Sequence, residues 1–149
     1  MRRIVALTLL FAMLFITSCS ADADAETILS AFCREYPISA QMLSSLADEG
    51  EDGYVTDEVR DVIFYGYTDL PREYALVLYG RVDTVLEVGV FLTDSADERM
   101  ALYELLKNRI DLLSSLVEGE GFMKNYNGIF VYAFVDDTER AEKLFDSII

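Results

Sequence analysis

The chain has 149 residues, with 12 basic and 27 acidic side chains and neither histidine nor tryptophan. This length fits one domain with a real hydrophobic core, and the missing histidine excludes histidine nucleophile schemes, imidazole acid–base chemistry and histidine metal sites. A formal net charge of −15 argues against nucleic acid as a partner, because phosphate contacts need clustered lysine and arginine.

The N-terminus has the pattern of a targeting segment. Arg2 and Arg3 form a positively charged start, and the apolar run 4–16 is shorter than the roughly 20 residues that a membrane-spanning helix needs. The segment 16–19 reads Ile-Thr-Ser-Cys and resembles the bacterial lipobox, in which cleavage precedes a cysteine that carries a diacylglyceryl group. A lipid-anchored protein is therefore predicted.

This pattern defines the expected organisation of the chain. We expect a lipoprotein signal peptide over 1–18, lipidation at Cys19, a lipidated tether over 19–24 and a single α+β domain over 25–149. The mature protein would then lie on the outer side of the cytoplasmic membrane, held there through the lipid on Cys19. The alternative is a plain secretory signal in which Cys19 has no role.

Cys33 is the second of the two cysteines. With Cys19 lipidated it has no disulfide partner. It lies among apolar residues at helical spacing, and no lysine or histidine neighbours it in sequence. The pattern predicts a buried, inert thiol rather than a reactive one.

Helical signals come first along the mature chain. Three residues are predicted N-caps of N-terminal helices: Asp24, Ser39 and Thr56. The helices that they begin are expected to end at Pro37, near Gly50 and at Gly66, because proline and glycine interrupt or terminate a helix. The middle helix is expected to run through Met42, Leu43 and Leu46.

The second half reads as strand-strand-helix twice. Strands are predicted over 73–79, 85–93, 121–126 and 129–135, the last two joined by a type I′ turn at Asn127-Gly128. A capping box from Ser95 to Glu98 opens the longest helix, which is expected to end near Val117, and Asp137 caps the last one.

The order of elements indicates an α+β fold. The predicted architecture has N-terminal helices followed by the two strand-strand-helix units, with a four-stranded antiparallel sheet and both long helices on one face. Similar sequences at 91–94 and 134–137 suggest a duplicated unit. Because 129–135 is apolar at nearly every position, its second face also needs cover, from the N-terminal helices, which we favour, or from another subunit.

The same order of signals resembles the domain of unknown function 4358 family of small lipoproteins, found mostly in Gram-positive bacteria. The resemblance is carried by the lipobox at Cys19, the strand 86–91, the helical segment 105–111 and the C-terminal segment 128–145. It covers about residues 54–149 and the signal. The family implies no activity and therefore transfers no catalytic residue.

Arg109 falls on the apolar side of the long helix. It could contact a carboxylate of a ligand or partner, or its stem could pack on the core with its head paired to an acid, which we favour. Tyr65, Tyr67, Tyr74 and Tyr79 cluster around the link between the third helix and the first strand. They could supply a binding surface, although packing on the sheet, which we favour, explains them as well.

The acidic segment 48–53 invites a calcium interpretation, since hard cations prefer carboxylate oxygens. In the register of an EF-hand loop, however, Gly50 and Val59 occupy ligand positions, so a solvated loop is the better interpretation. The remaining acids lie mostly at helix caps, which the helix dipole explains. No catalytic residue, metal or cofactor is predicted.

Three functions follow as hypotheses. The leading one is a non-catalytic interaction or accessory module, anchored to the membrane through Cys19 and acting on an unidentified protein partner. The second is a lipoprotein that binds a small molecule or ion in a concave site near Arg109 or the tyrosines. The third is a carboxylate-based hydrolase, which needs two buried acids within reach of each other.

Overall fold

The computed structural model describes residues 23–36, 38–65, 71, 73–80 and 85–149. The helices are α1 (Ala25–Glu35), α2 (Asp57–Phe64), α3 (Ala96–Leu116) and α4 (Thr138–Ile148). The strands are β1 (Met42–Ser44), β2 (Glu73–Gly80), β3 (Val85–Leu92), β4 (Glu120–Tyr126) and β5 (Ile129–Val135). Several predictions fall outside the described residues: the signal peptide, Cys19, most of the tether, Pro37, Gly66 and Tyr67.

The five strands form one antiparallel sheet in the order β1-β2-β3-β5-β4. The predicted α+β class is confirmed, as are the four predicted strands and both strand-strand-helix units. The predicted strand count was wrong, because β1 adds a fifth strand at one edge. Each pair of consecutive strands, β2-β3 and β4-β5, forms a hairpin, and β3 and β5 join the two hairpins.

The strand β1 replaces the short helix expected after Ser39. Met42 lies opposite Val77 of β2, and Leu43 lies opposite Leu76. The side chains of Met42 and Leu43 pack on opposite faces of the sheet. A short apolar run fits helical and strand spacing alike. Pairing with β2 decides between them, since it satisfies the backbone and buries both neighbouring side chains.

The sheet is covered on both faces. Helices α1 and α4 pack on one side, which we call the α1/α4 face, and α2 and α3 pack on the other, the α2/α3 face. The α1/α4 face includes Ala75, Val77, Val88, Val90, Val131, Ala133 and Val135. The α2/α3 face includes Tyr74, Leu76, Phe91, Phe130, Tyr132 and Phe134.

The placement of both long helices on one face was therefore wrong. Strand β5 is buried from Phe130 to Val135, so it needs a helix on each side. The chain supplies that cover itself, as favoured, with one N-terminal helix on each face.

The positions of α3 and α4 also bear on the suggested duplication. A twofold rotation that exchanges two adjacent antiparallel strands has its axis perpendicular to the sheet, so it leaves each face of the sheet on the same side. Because α3 and α4 lie on opposite faces, the two strand-strand-helix units are not related by such a rotation.

Most local helix signals are confirmed, whereas Ser39 begins no helix. Four predicted N-caps accept a hydrogen bond from the backbone N–H three residues later: Asp24, Thr56, Ser95 and Asp137. The capping box differs in one detail, since the Glu98 carboxylate accepts from the N–H of Asp94 at 2.6 Å rather than from that of Ser95. These caps satisfy N–H groups that a helix start leaves without intrahelical partners.

The turn between β4 and β5 is also confirmed. Asn127 and Gly128 have φ values of 51° and 104°, and Tyr126 and Ile129 face each other across the turn. The Gly128 carbonyl accepts hydrogen bonds from both the backbone N–H and the hydroxyl of Thr93, each at 2.8 Å. The turn is thereby tied to the end of β3.

Candidate functional site

A carboxylate is buried between the sheet and the helices on its α2/α3 face. Glu87 belongs to the central strand β3 and is 4% exposed. The alternation of β3 correctly indicates that Glu87 points away from the α1/α4 face, but the second face is covered as well. A buried carboxylate must be paired or hydrogen-bonded, because desolvation of an isolated charge is too costly.

The partner of Glu87 is Arg109 of α3. The Arg109 Nε donates to Glu87 Oε2 at 3.0 Å, and its Nη2 donates to Oε1 at 2.5 Å. The two parallel bonds form a fork that matches carboxylate geometry. The hydroxyl of Tyr132, on β5, donates to the same Oε2 at 2.8 Å. We call these three residues the Glu87–Arg109–Tyr132 network.

Helix α2 is connected to the same network. The Arg109 Nη1 donates to the carbonyl oxygen of Val62 at 3.4 Å. The side chain of Tyr65, at the C-terminus of α2, lies close enough to Arg109 to contribute to its raised pKa. Tyr65 adopts the left-handed backbone conformation with φ of 51° and is 52% exposed. Arg109 thus joins α2, α3 and the sheet.

The charges in the network stabilise one protonation state. The hydrogen bonds with Glu87 raise the pKa of Arg109 above its ordinary value. Burial raises the pKa of Tyr132, and the negative charge of Glu87 raises that pKa further. At neutral pH the network therefore holds a charged guanidinium and a neutral phenol.

The hydrogen bonds of the network indicate a structural clamp. Both oxygens of Glu87 accept hydrogen bonds from Arg109 or Tyr132, and the carboxylate is buried among them. The favoured interpretation of Arg109, a buried stem with its head paired to an acid, is confirmed. Glu87 is the only buried acid among the described residues.

The sequence interpretation missed Glu87 and Tyr132, although a signal for both exists. Glu87 is the only charged residue in the predicted strand 85–93, and Tyr132 carries the only polar side chain within 129–135. An arginine on the apolar side of a helix needs an acidic partner. Glu87, inside the mostly apolar predicted strand 85–93, is an acid that could serve as this partner.

The predicted tyrosines do not form one surface in the part of the chain that the structure describes. Tyr65 lies beside Arg109, whereas Tyr74 is buried and stacks on Phe91 with a centroid distance of 5.9 Å. Tyr79 follows Leu78, which packs on the α2/α3 face, so strand alternation places Tyr79 on the α1/α4 side. The fourth, Tyr67, lies outside the described residues.

A second polar cluster connects β4 to α4. Lys124 on β4 donates to Glu142 at 2.9 Å and to Asp146 at 2.6 Å, and the Tyr126 hydroxyl donates to Asp146 at 2.7 Å. The bond from Lys124 lowers the pKa of Asp146. Burial and the bond to Asp146 raise the pKa of Tyr126 to about 12. Exposed pairs of this kind contribute little stability but orient the side chains.

A third contact joins the C-terminus of α1 to the start of α4. The hydroxyl of Tyr36 donates to Asp136, and Arg140 lies over the Tyr36 ring, 4.9 Å from its centroid. The Arg140 Nη2 also donates to the carbonyl oxygen of Glu35 at 2.8 Å. Nearby, Cys33 is a half-buried free cysteine, and burial raises the pKa of its thiol.

Two open clefts are lined by neither Arg109 nor the predicted tyrosines that the structure describes. The larger, of about 630 Å³, lies where α3 leads into β4 and is lined by the segment 114–120 together with Asp136. Its carboxylates belong to Glu118, Glu120 and Asp136, and none of the basic residues that the structure describes lines it. The smaller, of about 400 Å³, lies along α4 and includes Arg140.

Comparison with models of known protein families, with curated proteins and with solved structures found no match for this chain. Across the described ranges, none of the helices combines the length and apolar character needed to cross a bilayer. In the same ranges, no three side chains of the His, Cys, Asp or Glu type come together in a way that could hold a metal ion.

The raised pKa of Tyr132 predicts a loss of stability at alkaline pH. Tyrosines of the unfolded chain ionise near pH 10, while Tyr132 of the folded chain ionises at higher pH. Its contribution is therefore fully present below about pH 10 and declines as the pH rises above that value. In Tyr132→Phe this decline should be shallower, as measured by urea unfolding at a series of pH values.

The same variant should lose about 0.5–1.5 kcal/mol at neutral pH, because one hydrogen bond to Glu87 is removed. Tyr103→Phe, which removes the hydroxyl of a tyrosine that is 44% exposed, is the control. Equal flattening of the alkaline profile in both variants would contradict the assignment to Tyr132.

Proposed function

We propose that this chain is a lipid-anchored extracytoplasmic lipoprotein, and that its folded domain is a non-catalytic interaction or accessory module. The observation that carries the proposal is the order of signals at the N-terminus. Arg2, Arg3, the apolar run 4–16 and Cys19 precede Asp24, the cap of the first helix, by a tether of only a few residues. That order is typical of a soluble domain held at a membrane by lipid.

The packing inside the domain supports the part of this proposal that concerns a non-catalytic interaction module. Helices cover both faces of the sheet, and the buried polar groups of the Glu87–Arg109–Tyr132 network bond to one another. The groups that remain for other molecules lie on the surface. We also propose membership of the domain of unknown function 4358 family, on the resemblance described above.

Binding of a small molecule is the second candidate, supported by the cleft of about 630 Å³ between α3 and β4. The cleft is open rather than enclosed, and sites for small molecules usually bury most of their ligand. A surface that contacts a protein fits this shape better.

Lipidation and partner contact can be tested together on intact cells. The tagged protein should migrate more slowly on a gel after globomycin treatment, because the signal peptide is then retained. Crosslinking of untreated cells, followed by purification and mass spectrometry, should yield one dominant protein partner. The Cys19→Ser variant, which cannot be lipidated, should lose that partner.

The outcomes separate the two parts of the proposal. Equal gel mobility with and without globomycin would contradict the lipid anchor. A lipidated protein without any crosslinked partner would contradict the interaction module and favour ligand binding. The next measurement would then be a thermal-shift screen of metabolites on the soluble domain.

A further inference from the structure

Strand β4 has a free edge. Tyr126 and Ile129 flank a two-residue turn, so their backbones exchange both hydrogen bonds. The antiparallel pattern then directs the N–H and C=O groups of every second residue of β4 away from β5. These residues are Gly121, Met123 and Asn125. Within the described ranges, their outward backbone groups have no hydrogen-bond partner.

This edge lacks the usual protection against strand addition. Natural edge strands are commonly shortened, bulged, interrupted by proline or guarded by a lysine. The opposite edge strand, β1, has only three residues. Strand β4 pairs with β5 without interruption from Glu120 to Tyr126 and contains no proline. Its single lysine, Lys124, is directed toward α4, where Glu142 and Asp146 neutralise it.

Helices pack against the edge strand on both faces of the sheet. On the α1/α4 face, the ring of Phe122 packs on Phe145 with a centroid distance of 6.3 Å. On the α2/α3 face, Ile110 lies so close to Gly121 that an added Cβ atom would approach its side chain to 2.5 Å. A strand held in place by such packing is pre-organised for an incoming strand.

The charge near the edge favours a basic occupant. Glu118, Glu120 and Asp136 line the open cleft at the first residues of β4, and the described part of the chain places no basic side chain in its lining. A second copy of this chain would bring together two molecules that each carry a formal net charge of −15, which opposes pairing. An extended segment with lysine or arginine side chains would instead be attracted.

We propose that the free edge of β4, formed by Gly121, Met123 and Asn125, binds an extended, basic segment of a partner protein as an additional strand. Backbone hydrogen bonds would supply affinity, and the acidic cleft would select basic side chains at one end. This inference rests on the proposed function as an interaction module and specifies the surface that the module uses.

A peptide of alternating lysine and valine tests the proposal with the lipidated protein in vesicles of neutral phosphatidylcholine. Met123→Pro removes one outward N–H and places a ring in the path of the incoming strand, a change that edge strands tolerate. Met123→Ala shortens the same side chain and keeps the N–H. We expect Met123→Pro to weaken binding about tenfold or more and Met123→Ala to change it by less than about twofold.

A second peptide keeps the test informative if Met123→Pro does not fold, as judged by circular dichroism. The same lysine–valine sequence, N-methylated at alternate residues on its pairing edge, keeps the charge but cannot donate to β4. It should bind at least about tenfold more weakly. Equal binding by the two peptides, or equal binding by Met123→Pro and Met123→Ala, would overturn the proposal in favour of charge attraction alone.

Crosslinking on cells distinguishes this inference from the proposed function. A partner that is lost in Cys19→Ser but retained in folded Met123→Pro would support the interaction module and overturn the β4 edge as its surface. Loss of the partner in Met123→Pro with retention in Met123→Ala would support both. Specific peptide binding at the edge without any cellular partner would contradict the proposed function and leave the strand-binding edge supported.

Discussion

Replacing Glu87 by methionine is expected to lower the free energy of unfolding by about 3–5 kcal/mol, because it leaves the buried charge of Arg109 without its partner. The side chain of Glu87 is 5% exposed and that of Arg109 is 11% exposed, so water cannot take over the lost interaction. Urea unfolding at neutral pH measures the change.

Removing the whole network should cost less than removing one member. In the combined variant Glu87→Met, Arg109→Met and Tyr132→Phe, no buried charge or hydroxyl is left without a partner. Apolar groups of similar size often replace a buried ion pair with little loss of stability. We expect this triple variant to recover most of the stability that Glu87→Met loses.

An exposed ion pair provides the control for this series. Lys143 and Glu139 form a salt bridge on the surface of α4, with a distance of 2.5 Å between Nζ and Oε1. Their side chains are 73% and 79% exposed. Lys143→Ala should change the free energy of unfolding very little, because exposed ion pairs contribute little stability. If Glu87→Met were no more destabilising than Lys143→Ala, the network would not be the clamp described here.

Phe145→Ala is expected to be similarly destabilising, by about 3–5 kcal/mol, because it removes the side chain that joins α4 to α1 and the sheet. Phe145 is fully buried and stacks on Phe32 with a centroid distance of 4.4 Å. Its ring also contacts Phe122 of β4. The cavity would therefore open between three elements of the α1/α4 face.

A double-mutant cycle tests the three-layer arrangement. Leu106→Ala, in α3 on the other face of the sheet, should cost about 2–5 kcal/mol by itself. Because the sheet separates the two sites, the effects should add to within about 0.5 kcal/mol. Leu116→Ala, at a side chain that is 69% exposed, is the control and should have little effect. Coupling well above this value would contradict the placement of α3 and α4 on opposite faces.

The features that could be predicted are those that depend on neighbours in sequence. Asp24, Thr56, Ser95 and Asp137 each cap a helix by a bond to a backbone group three residues away. Asn127 and Gly128 form the hairpin turn because both tolerate positive φ. No tertiary contact is needed for these preferences to act, so the helices and hairpins were predicted nearly in full.

Strand β1 and Glu87 show where local preference is insufficient. Met42 and Leu43 suit a helix or a strand, and only the open edge of β2 makes the strand the better choice. The alternation of β3 separates Glu87 from the residues of the α1/α4 face. It contains no information on whether a helix covers the other face, because that cover comes from Arg109 and its helix.

The amino-acid sequence by itself therefore determined the α+β class, most helices and strands and the residues that cap them. It also contains the N-terminal pattern on which the proposed lipid anchor rests. Only the tertiary structure decided the face on which each helix packs, the partners of Arg109 and the free edge of β4. These depend on residues far apart in sequence, such as Glu87 and Tyr132, which are separated by 45 positions in the sequence and form a hydrogen bond. Burial of both sheet faces at once selects among such pairings, and no short segment of the chain encodes that requirement.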